Sequence, residues 1–386
     1  MRSEKRYMVG RRDAGQEGLL LLGKYLALDG SEGAPLYLDV LKPHAVLICG
    51  KRGYGKSYTM GVLVEEFDRL RPGIRKNFCL IIIDTMGIFS CMEAPAAEAG
   101  HGDWGRGPAG CDIRVFAPRA HARSMDARDL EIPTGSLSFF DYCELLGIEP
   151  LSEYGIELMG LMENCPNFEA DELARRASVG LRGLLMMMDS WRLFSGKATF
   201  EALLEPGSIN VIDLSGYGHE PEIKSCIVSS LARALYDIRV GARRKEAGRR
   251  ESPLIWMFID EAHMFMDAFA TSRAGSVLAN EWLRQGRQPG LSLVLATQRP
   301  SALGREVLSQ ADLIICHRLT LRDDVQALEE TRPSFMQESI PGAMSRLGAI
   351  RGAAIVVDDT TESYHVIKVR PRTSRHGGGE PVVYVD

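Results

Sequence analysis

One octapeptide constrains this chain more than any other stretch: Gly50-Lys51-Arg52-Gly53-Tyr54-Gly55-Lys56-Ser57, spaced as G-x-x-x-x-G-K-S. The six residues before it, 44–49, read His-Ala-Val-Leu-Ile-Cys, short and apolar as a buried strand is. After it, Met60, Leu63, Val64, Phe67 and Leu70 recur on one helical face. Strand, glycine loop and helix in that order make a phosphate cradle. Glycine lacks Cβ, so successive backbone N–H groups can close around phosphate oxygens, and the helix N-terminus adds partial positive charge. The pattern assigns Lys56 to the β- and γ-phosphates and the Ser57 hydroxyl to Mg2+. ATP and Mg2+ are therefore the expected ligands, and residues 50–58, ending at Tyr58, the expected cradle. The ordinary alternative is a chance turn in a chain with 39 glycines; the downstream sequence argues against it.

The 386 residues allow two domains, or one large domain with an insertion. Hydrophobic residues at 45% and charged residues at 25% are ordinary for a globular protein. A net charge of −5 gives no global attraction to nucleic acid, so any DNA contact must come from a local basic patch or from a lumen built by oligomerisation. No apolar run approaches the ~18 residues needed to cross a bilayer; the run at 19–22 is cut off by Gly23-Lys24. The first six residues lack the apolar core of a signal peptide. A cytoplasmic chain without membrane contact is expected. The eight cysteines form no C-x-x-C pair, and Cys49, Cys79 and Cys316 sit in apolar strand-like runs. Reduced thiols acting as small hydrophobes are expected, with no disulfide and no thiolate metal site.

Strand-like runs recur at 44–49, 78–83, 113–116, 209–212, 254–259, 291–297 and 312–316. Most are continuously apolar, the pattern of strands buried on both faces of a parallel sheet, and helical patterns separate them. The fold class is α/β with a mostly parallel sheet. Residues 44–95 and 206–370 read as the sheet domain. Residues 96–205, a Gly/Ala/Pro-rich loop and then Leu/Met/Ala at helical spacing, read as a mostly helical insertion whose methionines pack a core. Residues 1–43 form a short β-rich segment with pieces at 7–10 and 36–40, too few for a barrel of their own. A β-hairpin, 348–357 with 364–369, precedes a basic, Gly-rich tail at 371–386.

Three further groups bear on chemistry. Residues 255–259 end in Asp260-Glu261. Asp260 can complete the Mg2+ shell opposite Ser57, and Glu261 can polarise the water that attacks a γ-phosphate. Alone, an acidic pair after a strand is a solvated end or a helix cap; with a phosphate loop upstream the catalytic reading is stronger. The apolar run 291–297 leads to Gln298, placed to sense the γ-phosphate beyond the carboxyl end of a strand. Before it, Arg284 and Arg287 are candidate fingers for a neighbouring subunit's nucleotide, or arginines that merely satisfy a helix C-terminus. Basic clusters at Arg175-Arg176, Arg243-Arg244-Lys245, Arg249-Arg250, and Lys368, Arg370, Arg372 and Arg375 are either DNA contacts or solvated faces. Asp84, after the second strand, either assists the site or begins a turn.

These residues together resemble the HerA–FtsK superfamily of hexameric, DNA-pumping ATPases, and the HerA branch most closely. The matching segments are the 50–57 loop, Asp260-Glu261-Ala262-His263, Arg284-Gln285-Gly286-Arg287 and Ala296-Thr297-Gln298-Arg299-Pro300-Ser301. The stretch 308–320 resembles the family's next strand, and 370–378 its C-terminal brace. The resemblance implies a RecA-like core, with Lys56 and Ser57 for nucleotide and Mg2+, Asp260 and Glu261 for metal and water, and Gln298 as sensor. It further implies Arg284 or Arg287 acting in trans within a homo-hexamer that moves or unwinds double-stranded DNA, with a partner nuclease serving repair or defence. Tyr54 stands where relatives carry a small residue, the turn after Asp84 lacks the usual acidic residue, and the N-terminal segment is shorter than the family's barrel.

Three other functions compete. Asp260-Glu261-Ala262-His263 also spells the DEAH signature of two-lobed RNA and DNA helicases, but too little chain follows Glu261 for a second lobe. A conjugative or packaging motor usually carries a membrane anchor or fused nuclease, and neither is visible. A nucleotide-gated scaffold for an effector, such as an anti-phage nuclease, uses ATP binding without strand movement.

Overall fold

The computed structural model describes residues 7–378 except 13–14, 16, 98–103, 120–125, 164, 166–167, 218–219, 247–251, 269–271 and 349. Arg249-Arg250 and the end of the tail lie outside the described residues.

Among them, thirteen strands form one continuous sheet. Its centre is parallel and follows the order Leu313–Cys316, Ala45–Cys49, Leu291–Thr297, Leu254–Ile259, Phe78–Asp84, Ile209–Asp213 and Arg114–Ala117. Alternate residues of each strand feed opposite layers. Cys79, Ile81 and Ile83 join one apolar core, while Phe78, Leu80 and Ile82 join the other. That two-sided burial is why these runs are apolar without alternation.

Beyond Leu313–Cys316 the sheet turns antiparallel. It passes through the hairpin Ala353–Asp358 and Ser363–Val369 to Leu19–Leu26 and Glu32–Asp39, and ends with Tyr7–Val9. The strand Leu19–Leu26 is absent from the sequence reading, which places β pieces only at 7–10 and 36–40 in this segment. Here Gly23 is required by close approach: a Cβ would lie 2.2 Å from the Lys368 carbonyl oxygen. In the sheet order, the N-terminal strands join the parallel centre through the C-terminal hairpin.

The helix Lys56–Asp68 follows the glycine loop. It is buried on nearly every side rather than on one face, since Val62, Glu65 and Glu66 are covered as well as Met60, Leu63, Val64 and Phe67. Phe67 anchors it with ring centroids 5.5 Å from Phe78, 5.0 Å from Trp256 and 6.3 Å from Phe258. On the other sheet face the long helix Pro221–Lys245 packs against a group comprising Phe139–Leu146, Glu153–Glu163, Ala170–Arg176 and Val179–Ser190. Leu181, Leu185 and Met188 point inward, whereas Met186 and Met187 are exposed. Core packing therefore accounts for only part of the methionine stripe, because a 3.6-residue period turns 186 and 187 outward.

Candidate functional site

The parallel strands place Cys49, Thr297, Ile259 and Cys316 at one edge of the sheet, and the chain leaves that edge four times. The loop after Cys49 opens with Gly50 at φ 154°, then Gly53 at 81° and Gly55 at 119°, values in the region that favours glycine. A Cβ on Gly50 would lie 2.6 Å from the His317 Cβ, so the loop rests directly on that residue. The Lys51 N–H donates to the Arg318 carbonyl at 2.8 Å. On the loop's outer side, a Cβ at Gly53 would meet nothing within 4 Å.

Lys56 is buried, as is Asp260. The Ser57 hydroxyl donates to Asp260 Oδ2 at 3.0 Å, joining the first turn of the helix to the end of Leu254–Ile259. Burial lowers the Lys56 pKa, and the Glu261 and Asp260 carboxylates oppose that fall. Burial, then the neighbouring Glu261 charge, lifts Asp260 to about 6. Burial also raises Glu261, against the pull of Lys56 and of a hydrogen bond from the Gln298 backbone N–H. Glu261 itself has φ 51° and ψ 48°, a left-handed conformation uncommon for a non-glycine residue. A loop of backbone N–H groups, one buried lysine, a hydroxyl beside a carboxylate and a second carboxylate can hold a triphosphate and position water. The donor set of hydroxyl and carboxylate oxygen suits a hard divalent ion such as Mg2+.

The structure brings together Lys56, Ser57, Asp260, Glu261 and Gln298, with the 50–55 loop around them. It does not bring Arg284 or Arg287 there. Arg284 ends a π-helical turn, Leu278–Leu283, pairs with Glu306 and donates to Asn280 Oδ1 at 2.9 Å. Arg287 is 70% exposed and lies 4.0 Å from Asp312. Asp312 precedes Leu313–Cys316, so both arginines sit at the amino ends of the strands, the far edge of the sheet. Tyr58 turns from the loop: its hydroxyl accepts from the Arg372 N–H at 2.6 Å, and its ring meets His376 at 5.5 Å. Tyr54 is half-buried, with the Arg318 guanidinium 5.8 Å from its ring centroid.

Asp84 begins a turn. Its carboxylate accepts from the backbone N–H groups of Met86, Gly87, Ile88 and Phe89 at 3.2, 2.7, 3.1 and 2.8 Å. Burial nevertheless lifts its pKa to about 6 against those bonds. Among the basic clusters, Arg175 pairs with Asp171 at 2.9 Å. Arg370 and Arg372 are almost wholly buried against Glu65 and Glu66, which corrects their reading as possible DNA contacts: they brace the phosphate-loop helix.

Sequence reasoning gave no role to His317, which the fold puts under the loop. Its Nδ1 lies 2.9 Å from the Ala353 carbonyl and Nε2 lies 2.9 Å from Thr59 Oγ1. The carbonyl can only accept, so Nδ1 carries the proton and the Thr59 hydroxyl donates to Nε2. Burial lowers the His317 pKa to about 4, keeping it neutral. The signal available was position alone: the residue directly follows a buried strand on the ligand side of the sheet.

The fold and site define a RecA-like P-loop protein. A family model described as "Helicase HerA, central domain" matches residues 21–163. The DNA double-strand break repair helicase HerA of Sulfolobus acidocaldarius is 26% identical over 179 residues, covering 45% of this chain and 34% of that protein. The protein of the same name from Pyrococcus furiosus is 26% identical over 207 residues, covering 46% and 37%. The chain thus matches about a third of the length of these relatives. Among solved structures, VirB4 of Thermoanaerobacter pseudethanolicus aligns with a TM-score of 0.60 at 16% identity, covering 94% of this chain and 98% of that one. The conjugative coupling protein TrwBdeltaN70 aligns at 0.56 and 13% identity, covering 97% and 98%; both likenesses concern the fold alone. The chain is thus similar over part of its length to HerA helicases, and it shares its fold with P-loop ATPases.

Proposed function

We propose that this chain is an ATP-hydrolysing motor that assembles as a ring, with six subunits as the expected number, and moves along or unwinds double-stranded DNA. The observation that carries the reading is the Ser57–Asp260 hydrogen bond beside buried Lys56, which unites phosphate loop and acidic strand end as triphosphate chemistry requires. Lys56 binds the β- and γ-phosphates, and the loop N–H groups bind oxygens around them. A divalent ion held by Ser57 and Asp260 would neutralise charge between those phosphates. Glu261 orients the attacking water and draws on its proton, a role worth about 10²–10⁴ in rate. Gln298 orients the same water from the adjoining strand end. Arg284 or Arg287, remote from its own site, serves the adjacent subunit's nucleotide. The double-strand break repair for which these relatives are named supports DNA as the track, and a nuclease is the fitting partner for end processing or defence.

Glu261→Gln is the test. It should keep ATP affinity and assembly while turnover falls at least ~100-fold. Turnover at the wild-type rate would refute the site assignment. Persistence of DNA-processing or effector function in this variant would instead favour a nucleotide-gated scaffold over a motor. Mixing Glu261→Gln chains with chains carrying Arg284→Ala and Arg287→Ala should restore turnover that neither has alone. Absence of recovery would refute action in trans.

A further inference from the structure

The turn after Glu261 carries a side chain that this mechanism leaves unused. His263 Nδ1 lies 3.3 Å from Glu261 Oε2 and 3.2 Å from Thr297 Oγ1. Thr297 is the last residue of its strand, and its hydroxyl oxygen accepts the Arg299 N–H at 3.0 Å, which shapes the turn that presents Gln298. The Gln298 N–H in turn reaches the Glu261 carboxylate. One imidazole therefore stands between the two turns that supply the water-orienting groups.

The tautomer follows from the neighbours. Burial pushes His263 below its ordinary pKa, with Arg299 adding to the effect, so the ring is neutral and carries one proton. An unprotonated Nδ1 would set a lone pair against a carboxylate oxygen. A protonated Nδ1 donates toward Glu261 Oε2 and Thr297 Oγ1 together. Glu261 Oε2 is buried and has no well-formed hydrogen bond among the described residues, and the His263 Nδ1 at 3.3 Å is the group that faces it. Its backbone is also held in the left-handed region, a conformation that persists in a non-glycine residue only when neighbours enforce it.

We propose that His263, seated on Thr297, is a positioning residue that fixes the Glu261 carboxylate against the Gln298 turn. The proposal rests on the hydrolytic reading of Glu261 above. It makes the acidic strand end and the sensor strand end move as one piece, with the imidazole as the connecting member. Phosphate binding, by contrast, belongs to the loop and Lys56, which His263 does not touch.

The experiment measures kcat, KM and binding of a fluorescent ATP analogue for the full chain with duplex DNA, in His263→Ala, His263→Asn, Thr297→Val and Glu261→Gln. His263→Ala should lose roughly 10–100-fold in kcat, the scale of a displaced catalytic group, while affinity for the analogue stays within about threefold. His263→Asn, whose amide N–H can occupy the place of Nδ1, should recover most of the rate. Thr297→Val, close in shape but lacking the hydroxyl, should lower kcat in the same direction by a smaller factor, and serves if His263→Ala fails to fold. An unchanged or raised kcat in His263→Ala, or no recovery with Asn, overturns the positioning role while an inert Glu261→Gln leaves the hydrolytic site standing. Wild-type turnover in Glu261→Gln overturns both.

Discussion

Glu65 lies more than two turns beyond Lys56 on the phosphate-loop helix and has no solvent contact through its side chain. Its carboxylate accepts from Arg370 at 2.7 Å, Arg372 at 3.3 Å, the Ser374 hydroxyl at 2.6 Å and the Thr373 and Ser374 N–H groups at 3.1 and 2.9 Å. Burial alone would raise its pKa, but Arg370, Ser374 and Arg372 outweigh burial and hold it below the ordinary value. Its contribution to stability is therefore present at neutral pH and lost as pH falls below the usual carboxylate range. Glu65→Gln keeps the shape but strips Arg372 of its carboxylate and leaves Arg370 to Glu66 alone, a loss of about 3–5 kcal/mol for a broken buried pair. With about 2.1 cal/mol/K of unfolding entropy per residue, 386 residues give about 0.8 kcal/mol/K, so about 4 kcal/mol lowers Tm by about 5 °C. Thermal melts and urea titration read the global loss, and brief trypsin treatment reads the local one. Arg372, which precedes Thr373, is protected by burial in the parent protein and should become a cleavage site in the variant. A Tm within 1 °C of the parent, with Arg372 still resistant, would refute the brace.

Two further outcomes are expected. His44, enclosed by Asp312 at 2.7 Å and Asp39 at 4.0 Å with Arg11 and Arg287 behind those carboxylates, has a pKa of about 9 because its hydrogen bond to Asp312 and the negative charge of both carboxylates outweigh the lowering effect of burial. Stability from this group is complete below the unfolded value near ~6.5 and is lost as pH rises through about 9, about 3 kcal/mol in all. A His44→Gln variant should lose that slope in urea titrations between those limits, and an unaltered slope would contradict the assignment. Gly23→Ala should cost about 1–3 kcal/mol, because the added Cβ meets the backbone of Ser363–Val369 rather than a movable side chain. A change below about 0.5 kcal/mol in the urea midpoint would show that the two strands separate freely.

The features legible in the sequence were those encoded locally. The glycine loop declares itself by spacing, and Asp260-Glu261 and Gln298 by following apolar strands. The remainder depends on pairs distant along the chain. His317 meets a hydroxyl 258 positions away and a carbonyl 36 positions away. Arg370 and Arg372 read as a basic tail because their partner Glu65 lies 305 and 307 positions earlier. For the same reason the helix Lys56–Asp68 looks one-sided in sequence: the segment covering its other face comes from the opposite end of the chain. His263 escaped as well, being only a letter in an acidic motif until Leu291–Thr297 sets Thr297 beside it.

The separation between Arg284 and Arg287 at one sheet edge and Lys56 at the other has a geometric corollary. Two copies related by a twofold axis present identical patches to each other, whereas completing a cradle with a distant arginine requires unlike patches to meet. Such a contact is polar, like a plug in a socket, and leaves a free plug on one end and a free socket on the other. Only rotation that returns to its start removes those ends, and any small error in pitch gives an open filament instead. For the proposed ring, the number of copies is set by the rotation that carries one subunit onto the next.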